Sequence, residues 1–72
     1  MRGWLKAARE NKGYTMKQVA EKLGISESYY SLIESGERQK RMDMMLATGL
    51  SSALGVSVSK IVAFESMPEE TK

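Results

Sequence analysis

The stretch TMKQVAEKLGISESYYSLIESG, residues 15–36, decides the fold. It divides at Gly24 into two short helical patterns, each with its own start and stop. Thr15 is a helix-capping residue, and Gln18 three positions later completes a capping box. Tyr14 ahead of the cap and Val19 inside the helix have the spacing of a hydrophobic staple. Met16, Val19, Ala20 and Leu23 fall at i, i+3, i+4 and i+7, one face of a 3.6-residue helix. Gly24 stands where a helix ends on a left-handed residue. The second pattern opens on Ser26, again a capping residue, and repeats the staple with Ile25 and Tyr30. Tyr30 and Ile33 carry its inward face, and Gly36 closes it.

Only Gly24 and Ile25 separate the first pattern from the cap of the second. Helices joined so tightly cannot lie antiparallel and must cross at a large angle, which is helix-turn-helix geometry. Such a pair needs apolar residues where it meets, a small residue at the crossing and glycine in the turn. Val19, Leu23, Ile25, Tyr30 and Ile33, then Ala20, then Gly24 meet those needs. With these turned inward, a helical wheel of residues 27–35 leaves Ser28, Ser31, Leu32 and Ser35 outward. Glu27 and Tyr29 lie on the flanks.

Outward from this unit, Trp4, Leu5 and Ala8 mark a short helix over 3–11 ending near Gly13, with Trp4 expected as a core anchor. After the basic loop Glu37-Arg38-Gln39-Lys40-Arg41, Met42, Met45, Leu46, Gly49, Leu50, Ala53 and Leu54 recur at helical spacing up to Gly55. Met16 and Met45 sit at core spacing, Met42 and Met44 less clearly so, and Gly49 offers a close backbone approach. Ser57 or Ser59 caps a fifth helix with Val58, Ile61 and Val62 inward. The class is all-α with five helices: one domain over 1–66 and a polar tail over 67–72, containing Pro68, that is expected to fray.

At 72 residues the chain is near the lower size for a core without staples. It holds no Cys and no His, which excludes a disulfide framework, a zinc knuckle and thiol or imidazole catalysis. So short a chain also has little room for an enclosed substrate pocket. An enzyme is the least expected class, and no cofactor or metal is implied. No apolar run approaches the ~18 residues of a membrane span, and nothing resembles a signal stretch, so the expected setting is cytoplasmic. Residues 1–41 carry nine basic and five acidic side chains, a net +4, whereas residues 42–72 carry two and four, a net −2. That division fits a nucleic-acid face opposite a non-binding or self-association face. The plainer reading is two differently solvated halves.

Arg9, Lys12-Gly13-Tyr14-Thr15, Val19-Ala20-Glu21-Lys22-Leu23-Gly24-Ile25-Ser26 and Ser28-Tyr29-Tyr30-Ser31-Leu32-Ile33-Glu34-Ser35-Gly36 together resemble the Cro and phage-repressor type of helix-turn-helix regulators. Ala53-Leu54-Gly55-Val56-Ser57 is similar to that family's closing segment, so the resemblance spans about residues 4–64. It implies a lambda-repressor-like domain whose recognition helix, 26–35, enters the DNA major groove. It also implies a structural pair between Arg9 and Glu34. Two departures stand out. The family often has Gln at the start of helix 2 to touch a phosphate; here it is Met16, so that contact is absent or moves to Lys17 or Gln18. The stretch from Gly36 to Gly55 is longer than usual and lacks the usual proline. Either the loop reaches further along the DNA backbone or helix 4 begins later.

The expected function is therefore a sequence-specific regulator of double-stranded DNA, a repressor binding a near-palindromic operator as a homodimer. Glu27, Ser28, Tyr29 and Leu32 are the candidates for reading bases. Glu27 could accept from a cytosine amino group or only complement the helix dipole. Ser28 suits base edges or phosphate. Leu32 could meet a thymine methyl or pack against helix 4, and Tyr29 could reach a phosphate or a base edge. Lys12, Lys17, Gln18, Arg38, Lys40 and Arg41 are candidates for phosphate contacts, which position without specifying. Ile61, Phe64 and the end of helix 4 are candidates for the dimer surface. The alternative is an antitoxin-like or protein-interaction module of the same fold with a protein partner; an exposed apolar patch around Met42, Met44 and Phe64 would favour it.

Overall fold

The computed structural model describes residues 1–66; the tail 67–72 lies outside the described residues. Five helices follow one another: α1 Gly3–Asn11, α2 Met16–Leu23, α3 Glu27–Ser35, α4 Met44–Leu54 and α5 Val58–Ser66. Among the described residues no helix is long and apolar enough to cross a membrane.

Local chemistry sets the starts of these helices. Thr15 Oγ1 accepts from the Gln18 N–H at 3.1 Å, and Gln18 Oε1 accepts from the Thr15 N–H at 2.8 Å, closing the capping box of α2. Ser26 Oγ accepts from the Tyr29 N–H at 3.0 Å and opens α3. Between them Gly24 takes φ 73°, a left-handed turn that strains any residue with a Cβ, while Ile25 N–H donates to Ala20 O at 3.0 Å. Asp43 Oδ1 starts α4 by accepting from Leu46 N–H at 2.8 Å. Of the two candidate serines, Ser57 caps α5, its Oγ accepting from Lys60 N–H at 3.1 Å.

The core consists of Leu5, Val19, Ala20, Tyr30, Ile33, Ala47, Leu50, Leu54 and Ile61, contributed by all five helices. α2 packs on α3 and α4, and α5 packs on α4. Gly49 permits the α2–α4 approach: a Cβ there would stand 2.9 Å from Leu23 Cδ2.

Two apolar positions of the last two helices differ from the sequence reading. Met45, expected in the core, is 87% exposed, and Val62, expected inward, is 51% exposed. Met42 instead packs half-buried against the core. α4 begins at Met44, later than the spacing from Met42 suggests, and its inward line runs through Ala47, Leu50 and Leu54. Apolar side chains follow one another at Met44, Met45, Leu46 and Ala47, so the helical period alone does not select the buried face; packing against α2 and α5 covers Ala47, Leu50 and Leu54. Trp4 is an edge anchor instead of a central one: half-buried, it stacks on the Phe64 ring with centroids 5.3 Å apart.

Candidate nucleic-acid interface

The outward face of α3 is open. Glu27 and Ser28 are exposed, Ser31 and Leu32 half-exposed, and these four line a shallow depression with Met16 of α2. Met16 thus forms an apolar wall beside α3. Tyr29 lies apart from this group. It is half-buried, and its hydroxyl accepts from Gln39 Nε2 at 3.0 Å, while Gln39 Oε1 accepts from the Asp43 N–H at 3.2 Å. Tyr29 is therefore tied to the loop between α3 and α4. Leu32 also anchors that loop, through a carbonyl that accepts from the Gly36, Glu37 and Arg38 N–H groups at 2.9–3.1 Å.

Behind the open face, a buried ionic cluster fixes how α3 sits. Arg9 of α1 donates from Nε and Nη2 to the two carboxylate oxygens of Glu34 at 2.9 and 3.2 Å, and from Nη1 to the Tyr14 carbonyl at 3.0 Å. Tyr30 donates its hydroxyl to Glu34 Oε2 at 2.9 Å. All three side chains are buried, and no buried side-chain polar atom among the described residues lacks a partner. The bond to Glu34 holds the Arg9 guanidinium above its usual range. Burial, followed by the bond to Glu34, pushes the Tyr30 phenol above its ordinary value.

A phenol whose pKa is higher folded than unfolded contributes stability that is complete below the unfolded value of 10.0 and declines as pH rises past it. Tyr30→Phe should therefore cost about 1.5–3 kcal/mol at neutral pH, the worth of a hydrogen bond to a charged group. It should also flatten the loss of stability as pH rises past about 10. Urea unfolding of both proteins on either side of that pH checks the pair of effects.

The basic residues divide into two groups. Lys17 is exposed at the start of α2, and Gln18 beside it keeps its amide NH2 free after giving Oε1 to the cap. Arg38, Lys40 and Arg41 are exposed on the α3–α4 loop. Lys12 stands elsewhere: with Lys22, Ser52 and Gly55 it lines a different hollow, and its Nζ is 3.3 Å from where a Gly55 Cβ would lie. A cation there complements the carbonyl end of α4. Arg2, which reads in the sequence as one more charge of the basic half, is 6% exposed and bonded to Glu65 at 2.8 Å. Its partners are distant in sequence, so no local signal could have revealed it.

A helix-turn-helix family profile matches residues 5–61, a span that begins in α1 and ends in α5. The chain belongs to the Cro/repressor type of helix-turn-helix DNA-binding regulators. It is also 35% identical over 72 residues to YqaF of Bacillus subtilis strain 168, described as an uncharacterized HTH-type transcriptional regulator; the match covers the whole of this chain and 90% of that protein. No solved structure matches significantly. Inside the matched span, the pair α2–α3 is capped at both starts and has a left-handed glycine between its helices.

Proposed function

We propose that the protein is a transcriptional repressor that binds a near-palindromic operator as a homodimer, with residues 26–35 in the major groove. The observation that carries this reading is the outward face of α3, where Glu27, Ser28, Ser31 and Leu32 lie together and accessible while the opposite face is locked into the core. Ser28 and Ser31 suit either a donor or an acceptor on a base edge, Glu27 a cytosine amino group, and Leu32 a thymine methyl. Tyr29, turned toward the loop, suits a phosphate better than a base. Lys17, Gln18, Arg38, Lys40 and Arg41 supply the remaining backbone contacts, and Lys12 stands outside the set.

One such module reads only a few base pairs, so specificity calls for two half-sites about 34 Å apart. We assign the dimer contact to the α4–α5 side. There Met44, 67% exposed, and Val62 flank a hollow that also includes Ala47 and Ile61, with Lys40 and Arg41 lining the part nearest the α3–α4 loop. The same exposed apolar hollow is what favours the second reading, an antitoxin-like module with a protein partner. The role is one of binding, with no cofactor, and belongs in the cytoplasm on DNA.

Selection from random duplexes, followed by fluorescence anisotropy at several salt concentrations, tests the first reading. The expected result is an enriched near-palindrome whose log K falls with log salt by about 0.9 per phosphate contact. A folded protein that enriches no sequence and shows no salt-dependent binding would overturn it.

A further inference from the structure

Residues 1 and 2 lie against the carboxyl end of α3. The Arg2 backbone N–H donates to Glu34 O at 2.8 Å. The Arg2 guanidinium then meets five acceptors with its five N–H groups. Nε and Nη2 grip Glu65 of α5 at 2.8 and 3.0 Å, and Nη1 reaches Ile33 O at 2.7 Å in the last turn of α3. Nη1 also reaches Arg38 O at 3.3 Å, and the second proton of Nη2 goes to Gln39 O. Glu65 is held in turn by the Trp4 indole N–H at 2.8 Å. One planar cation thus joins α3, α5 and the loop between α3 and α4.

The loop needs such a restraint. Gln39 sits at φ 54°, a left-handed conformation unusual for a residue with a side chain. It is maintained from both sides: Arg2 holds its carbonyl, and its own amide bridges Tyr29 and Asp43. Arg38 and Gln39, whose carbonyls Arg2 binds, lead directly into Lys40 and Arg41. The direction in which Lys40 and Arg41 project from the end of α3 depends on this one conformation, and Arg38 is held just before it by its N–H bond to Leu32 O.

We infer that Arg2 is a positioning residue for DNA binding: gripped by Glu65, it sets the α3–α4 loop so that Arg38, Lys40 and Arg41 meet the phosphate backbone in register with α3. This rests on the DNA-binding reading above. Lysine cannot replace arginine here, because an ammonium has three donors and no planar fork.

The test compares wild type, Arg2→Lys and Glu65→Ala, each at a temperature where circular dichroism shows it folded. Anisotropy on the selected duplex gives the salt slope, and amide hydrogen exchange without DNA gives the state of the loop. Both variants should show a slope shallower by about 0.9 for each loop cation that leaves a phosphate. Amides of Arg38 and Asp43 should exchange faster while those of Tyr30 and Ile33 stay protected. A lowered unfolding midpoint with an unchanged slope and unchanged loop exchange would overturn the positioning role and leave DNA binding intact. A wild-type protein that binds no duplex at any salt would remove the DNA reading itself and the positioning role with it.

Discussion

Arg9→Ala is expected to remove about 3–5 kcal/mol of stability, because it strands the Glu34 carboxylate in a buried site. A chain of 72 residues has roughly 4–11 kcal/mol in total, so the loss is about a quarter of it or more. Three features set the size. The pair is bidentate, both residues are under 10% exposed, and Arg9 also satisfies the Tyr14 carbonyl at the end of the α1–α2 loop. Losing the arginine therefore frees α1, that loop and α3 together. The cost arises from breaking the cluster more than from its net worth, since burying charge is itself expensive. Replacing the whole set, with Arg9→Met, Glu34→Leu and Tyr30→Phe, should accordingly recover most of what the single change loses. Urea unfolding of the single and triple variants measures both. A single variant within about 1 kcal/mol of wild type would show that the cluster does not restrain α3.

What could be read from the sequence was what short-range chemistry determines. The capping box of Thr15 and Gln18, the Ser26 cap and the turn at Gly24 each involve residues within a few positions of one another, and each appears in the structure. Asp43 carried the same kind of signal, a capping residue just ahead of an apolar run, and marks the start of α4 two residues after Met42. The phase of α4 was not legible, because Met44, Met45, Leu46 and Ala47 offer an apolar side chain in every direction. Only the partners of α4 decide which ones are covered.

At the candidate site, the outward set Ser28, Ser31 and Leu32 follows from the helical period alone. Tyr29 does not: on a wheel it is a flank residue, and its attachment to Gln39 depends on how the loop returns. Arg2 marks the limit of such reading. Its side-chain bonds span 31 to 63 residues of sequence, and nothing beside it distinguishes it from Lys6 or Lys17.

Ser28→Glu separates the two things α3 does, because it should move them in opposite directions. Ser28 occupies the first turn of α3, two residues past the Ser26 cap, where a carboxylate opposes the positive end of the helix dipole. Fold stability should rise by about 0.3–1 kcal/mol. The same carboxylate would project from the open face beside Glu27 toward any phosphate backbone docked there. Operator affinity should fall at least about 100-fold, near 3 kcal/mol, from like-charge repulsion and loss of the hydroxyl. Lys60→Gln on α5 changes net charge by the same single unit at an exposed position away from this face, and should cost far less. A stabilised protein that has lost its operator cannot be explained by misfolding. A Ser28→Glu variant that binds like wild type would mean that some face other than α3 meets the DNA.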